Sequence, residues 1–207
     1  MHPLLNEHFF KALEIYTHGV HYDTLLEAKQ EYFTITGQAN DDDDDFEARM
    51  TSFNEWYVLQ FISRRGTRTV IRDYLDQHRI EDMLSKSLSG VNYSLFEYIG
   101  KNFRGQDTLY DMLHDKKITL PKGGILPSII KDDLFVGRVL TYEKQNYLMS
   151  GLCVIPKDVR AILKKECKKV RKLKNPNEEL KFLLKIESYK TKWIRYGHVD
   201  ATKIFVF

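Results

Sequence analysis

The sequence is short of everything that would announce a chemistry. Only two cysteines, Cys153 and Cys167, occur in 207 residues, too few and too far apart for a disulfide framework or a CxxC zinc site. That usage fits a reducing compartment. No apolar run approaches the roughly 18–20 residues needed to span a bilayer. The opening residues also lack the charged, apolar and small-residue succession of a signal peptide. The expectation is therefore a cytoplasmic protein with no transmembrane segment. There is no GxSxG elbow and no HExxH pair, and Lys122-Gly123-Gly124 is too short for a phosphate loop and reads as a turn. No cofactor is expected. No internal repeat is visible, and the only low-complexity run is the tract of five aspartates, Asp41 to Asp45.

What is present is apolar and aromatic. With 43% hydrophobic and 13% aromatic residues, a chain of this length can bury a sizeable core and need not be disordered. Charge is unevenly spread. Residues 1–48 hold two lysines against eleven acids, a formal −9, whereas residues 157–174 hold nine Lys or Arg against two acids, a formal +7. Opposite ends of this kind either attract one another, keep the protein soluble, or offer the basic end to an anionic partner.

Residues 1–37 read as a helical amino-terminal segment. Pro3 suits a first helical turn, Leu5, Phe9, Leu13 and Tyr16 make a stripe, and Thr24 with Glu27 forms a capping box ahead of Leu25, Tyr32 and Phe33. Residues 38–45 read as a mobile acidic linker. Residues 46–207 then form one α+β module. Its first part, 46–89, is a helical pair: Phe46, Met50, Phe53, Trp56, Tyr57 and Phe61 share one helix face, and Ile71, Tyr74, Leu75, His78, Met83, Leu84 and Leu88 share another. His78 on that apolar side is expected to be a hydrogen-bonded core residue. From 91 to 156 the texture changes to about five short β-rich runs, 93–99, 109–113, 117–120, 134–142 and 147–155, which suggest a small curled antiparallel sheet or barrel. From 157 to 207 the chain returns to two helices and a closing strand over Ile204 to Phe207. The second helix carries the aromatic-rich series Phe182, Ile186, Tyr189, Trp193 and Tyr196, expected to be core or interface.

The segments Phe53-Asn54-Glu55-Trp56-Tyr57, Tyr93-Ser94-Leu95-Phe96-Glu97, Val136-Gly137-Arg138 and Lys192-Trp193-Ile194-Arg195-Tyr196-Gly197-His198 resemble a group of uncharacterised bacterial proteins over residues 46–207. That resemblance implies one module and carries no catalytic residues with it.

Three clusters offer chemistry. Arg64, Arg65, Arg68 and Arg72 surround Gly66-Thr67 at an expected helix start, where free N–H groups and the helix dipole favour an anion; the plainer reading pairs these arginines with nearby acids. The basic helix, with Lys164, Lys165, Lys168, Lys169, Arg171 and Lys172, suits nucleic-acid phosphates or an acidic partner; the plainer reading is a solvated face. His18, His21 and Asp23 have metal-ligand chemistry but no defined geometry, so no metal site is assigned. Cys167, beside lysines, is a candidate for thiolate character. The expected function is a non-catalytic binding or adaptor protein that contacts a protein partner through the aromatic-rich surfaces and the basic helix. The alternatives are a nucleic-acid-associated protein using residues 157–174, and an enzyme of unknown class, metal-dependent in one form.

Overall fold

A computed structural model describes residues 1–64 and 66–207; Arg65 lies outside the described residues. Among them the chain is α+β. Five helices come first: α1 (Pro3–Tyr16), α2 (Tyr22–Thr36), α3 (Phe46–Leu59), α4 (Val70–His78) and α5 (Asp82–Ser89). Six strands follow: β1 (Asn92–Lys101), β2 (Asp107–Asp111), β3 (Lys116–Thr119), β4 (Leu134–Tyr142), β5 (Gln145–Leu148) and β6 (Cys153–Ile155). Helices α6 (Arg160–Leu173), α7 (Pro176–Tyr196) and α8 (Ala201–Ile204) complete the order. No helix among the described residues is long and apolar enough to cross a membrane.

Helix α3 is the axis of the helical half. The expected single apolar face understates it: every residue from Ser52 to Leu59 except Asn54 is buried. Helices on one side and the sheet on the other cover it, so its polar positions are buried with its apolar ones. Leu5, Phe9, Tyr32, Phe53, Trp56, Ile71, Tyr74 and Leu88 form one core around it, and Tyr57 Oη donates to the Tyr16 carbonyl at 2.6 Å. Helices α1 and α2 therefore share their core with the residues that follow position 46.

The sheet is antiparallel, in the order β3-β2-β1-β4-β5, with β6 also paired to β4. Alternation along the strands makes two faces. Tyr93, Leu95, Leu134 and Val136 pack with Leu163, Cys167, Phe182 and Ile186 of α6 and α7. Phe96, Tyr98, Leu109, Ile118, Phe135 and Val139 fill the inside of the curl, and Asn146 Nδ2 closes it by donating to the Thr119 carbonyl at 3.1 Å.

Several expectations are corrected. The helical pattern over 71–88 breaks at Arg79, whose left-handed φ of 50° separates α4 from α5. His78 is hydrogen-bonded as expected, its Nδ1 2.9 Å from the Tyr74 carbonyl, but it is exposed and not core, stacking on Tyr74 at 4.4 Å. The expected Thr24–Glu27 capping box does not form: α2 starts at Tyr22 without a side-chain cap. The closing strand is absent; Asp200 caps the Thr202 amide at 2.8 Å, which starts the helical turn α8 instead. Phe205 is nevertheless buried, and Tyr189 meets Phe205 and Phe207 edge-on. The last β-rich run is two strands, β5 and β6, lying in line on one edge of β4. In the expected linker, Asp41, Asp42 and Asp44 are exposed, while Asp45 pairs with Lys190 of α7 at 2.7 Å and Arg195 donates to the Gln38 carbonyl.

Candidate functional site

The break between β5 and β6 falls beside Arg138. Strand β4 pairs with β6 through residue 136 and with β5 from residue 139, and residues 149–152 connect the two, Met149 N donating to the Arg138 carbonyl at 2.9 Å. Glu55 of α3 meets that loop: its Oε1 accepts the Gly151 amide at 2.6 Å. Gly151 is required there, because an added Cβ would stand 2.8 Å from Glu55 and from the Ser52 backbone.

Arg138 is fully buried, on the same face of β4 as Leu134 and Val136. Its Nε donates to Gln60 Oε1 at 2.7 Å, and its Nη1 reaches Ser52 Oγ at 3.3 Å and Glu55 Oε2 at 3.5 Å. Its guanidinium carbon lies 4.2 Å from the Tyr93 ring centroid, a cation–π contact. Nη2 has no hydrogen-bond partner among the described residues. Glu187 of α7 supplies the second carboxylate. It accepts from Tyr93 Oη at 2.6 Å, from Ser52 Oγ at 3.4 Å and from the Tyr32 hydroxyl. One guanidinium thus lies among two carboxylates and two phenols drawn from α2, α3, β1, β4 and α7.

Burial dominates the proton chemistry here. It pushes the Glu55 carboxyl up to about 7, against the opposing pull of Arg138 and the Gly151 amide. Burial, with Glu187 adding to it, holds the Tyr32 and Tyr93 phenols far above their usual range. A cavity of about 30 Å³ adjoins the cluster, bounded by Ser52, Glu187, Cys153, Arg49 and Lys190. That volume is on the scale of a water molecule, and apart from Arg138 Nη2 the polar groups of the cluster are engaged with one another.

A second polar cluster ties the sheet to α7. Asp111 is fully buried and accepts from Ser94 Oγ at 2.5 Å and Asn92 Nδ2 at 3.0 Å. It also holds His114 Nδ1 at 2.9 Å, while His114 Nε2 faces Glu179 at 3.4 Å. The hydrogen bond to Asp111 is the main force that raises the His114 pKa above its ordinary 6.5, with Glu179 adding to it.

The residues singled out in the sequence are dispersed differently. On α6, Lys164, Lys165, Lys168, Lys169 and Lys172 are all exposed. Lys169 pairs with Glu166 at 2.8 Å; the other four enter no ion pair among the described residues. Arg171 turns away from them, giving Nε to the Leu113 carbonyl at 2.7 Å, Nη2 to Met112 at 2.9 Å and Nη1 to Asp115 at 2.6 Å. The arginines near Gly66 diverge. Arg64 reaches Glu27 at 3.6 Å, Arg68 pairs with Asp76, and Arg72 and Thr67 are exposed, with α4 beginning only at Val70. Arg65 lies outside the described residues. His18 Nδ1 lies 2.9 Å from the Glu14 carbonyl, His21 packs on Tyr16 at 4.3 Å, and Asp23 is exposed. Among the described residues no three His, Cys, Asp or Glu side chains converge on a metal position. Cys167 is buried, and burial pushes its thiol up to about 12, the opposite of thiolate character.

Residues 12–192 match a family of unknown function, DUF7986. The chain belongs to that family. The match begins inside α1, so the family's extent includes the amino-terminal helices that the resemblance over 46–207 left out, and it stops within α7. No curated protein and no solved structure matches the chain. The family span contains the whole buried cluster. Periodicity missed Glu55, Tyr93, Arg138 and Glu187 as a group, because each reads locally as an ordinary polar or strand residue. Their only trace was that Glu55, Tyr93 and Arg138 lie in three of the four segments that carried the resemblance.

Proposed function

We propose that this DUF7986 member is a non-catalytic nucleic-acid-binding protein that docks phosphate backbone on the outer face of α6. The reading rests on one observation: four exposed lysines there, Lys164, Lys165, Lys168 and Lys172, have no acidic partner among the described residues. None of the acidic tract pairs with these lysines among the described residues: Asp45 pairs with Lys190 of α7 and Asp43 with Arg49 of α3. Protein interfaces are depleted in lysine at their cores, whereas point charges suit phosphates. The aromatic series of α7, which favoured a protein partner, is largely consumed in packing: Phe182, Ile186 and Tyr189 are buried.

Binding of labelled single- and double-stranded nucleic acid across a salt series tests this reading. The variant K164E/K165E/K168E/K169E should lose duplex binding and bind single strands more weakly, and the wild type should weaken steeply as salt rises. Equal affinity in both proteins at every salt concentration counts against it. A protein partner is the second reading, favoured by a groove of about 600 Å³ on α2 where Asp23, Glu27 and Glu31 flank Leu26 and Ile35. Its chemistry suits a basic amphipathic segment.

A further inference from the structure

The curl of the sheet creates a site that the α6 reading does not use. The β1–β2 hairpin tip, the end of β3 and the β4–β5 turn meet around a cleft of about 530 Å³. Phe103, at the tip, is 93% exposed. Single exposed apolar residues are ordinary, but this one is presented by a braced loop. Asn102 Oδ1 accepts the Arg104 and Gln106 amides at 2.9 and 3.1 Å, and the Asn102 carbonyl accepts the Gly105 amide at 2.9 Å. Gly105 supplies the left-handed φ of 73° that the tight turn needs. The ring is therefore held out in water by the backbone beneath it.

The lining of the cleft carries one sign of charge. Arg104 places its guanidinium carbon 5.3 Å from the Phe103 ring centroid. Lys122 and Lys144 line the same cleft, no Asp or Glu lines it, and none of the three cations enters an ion pair among the described residues. The remaining lining is rich in amides, including Gln106 and Gln145. An exposed aromatic platform, flanking cations and adjacent amides are what a single-stranded nucleic acid uses: a base stacks, phosphates meet the cations, and amides reach base edges. Duplex offers no free base face to such a ring.

We propose that this cleft binds single-stranded nucleic acid, with one base stacked on Phe103 and its flanking phosphates held by Arg104, Lys122 and Lys144. The site stands at the end of β2 and β3 opposite the turn that Arg171 of α6 grips, so the two surfaces are separable by mutation.

Fluorescence anisotropy tests this with a labelled oligothymidylate and an abasic oligomer of the same length and charge, on the full chain. Phe103→Ala should weaken oligothymidylate binding by roughly 5- to 150-fold, the range for loss of one stacked base, and leave the abasic oligomer unchanged. R104A/K122A/K144A should weaken both ligands and flatten their salt dependence. The same comparison made in the K164E/K165E/K168E/K169E background keeps the tests apart: an unchanged effect of Phe103→Ala there supports the cleft whether or not α6 binds. Equal effects of Phe103→Ala on both oligomers, or no effect on either, overturn the proposal. So does a loss confined to sedimentation with anionic phospholipid vesicles, which would make Phe103 a lipid anchor.

Discussion

Tyr93 and Arg138 face each other as direct partners in the β1–β4 register, with the guanidinium carbon 4.2 Å from the phenol ring centroid. The same phenol donates to Glu187, so one tyrosine meets both the cation and one of its counter-charges. Removing the cation leaves Glu55 and Glu187 without it in a dry interior. Arg138→Ala is expected to destabilise the fold by about 3–5 kcal/mol in urea denaturation. Arg138→Met combined with Glu55→Gln should recover part of that loss, because it removes charge from both sides.

Glu55 makes stability depend on pH. Its folded-state value of about 7 stands above the ordinary 4.5, so the native protein keeps a proton that the unfolded chain releases. The corresponding stabilisation is complete below about 4.5 and is lost as pH rises through 7. Glu55→Gln cannot ionise, so its stability relative to wild type should rise by up to roughly 3 kcal/mol between about pH 5 and about pH 8. A difference that stays flat across that interval would refute the assignment.

Gly151 is where α3 and the β5–β6 break come closest. Gly151→Ala forces a Cβ against the Glu55 carboxylate and the Ser52 backbone, and is expected to destabilise by about 1–3 kcal/mol, as overpacking does. Thermal denaturation of Gly151→Ala beside Gly123→Ala is informative. Gly123 has open space around it, so its change reports only the strain of a left-handed backbone.

His114 should titrate visibly by NMR, with a midpoint above 6.5 that falls in Asp111→Asn, because Asp111 is the main cause of the elevation. The sign matches that of Glu55: stabilisation from the charged imidazole is present below about 6.5 and disappears as pH rises through the elevated value. An unmoved midpoint in Asp111→Asn would mean that Glu179 governs the ring.

The lysines and the arginine of α6 should separate in stability measurements. Reversing Lys164, Lys165, Lys168 and Lys169 touches exposed side chains and should change stability by about 0.5 kcal/mol or less per site. Arg171→Ala removes the group that holds the Met112 and Leu113 carbonyls and Asp115, and should destabilise by about 1.5–3 kcal/mol.

Much of this architecture is legible in the residues. The start of α3 at Phe46, the break at Asn175-Pro176 and the β-rich texture from residue 92 onward follow from local periodicity and turn chemistry, which act over a few positions. The final apolar run was ambiguous for the same reason: four residues are too few to distinguish a strand from the turn that Asp200 starts. The buried cluster is a different kind of object. Glu55 lies off the apolar stripe of α3, where a carboxylate ordinarily faces water. Only the arrival of Arg138, 83 positions later, makes that position interior. Nor does any local pattern distinguish Arg171, bent onto backbone carbonyls, from Lys172 beside it.

The cluster also sets an order of events during synthesis. Tyr32, Glu55, Tyr93 and Arg138 leave the ribosome before Glu187, and the Tyr32–Glu187 bond closes a loop of 155 residues. The early helices can collapse around Phe53 and Trp56, and Arg138 finds Ser52, Glu55 and Gln60 already made, but the Tyr32 and Tyr93 phenols wait for an acceptor encoded far downstream. A contact of such separation in sequence is slow to find. The half-made chain therefore leaves both phenols without their carboxylate until α7 has docked.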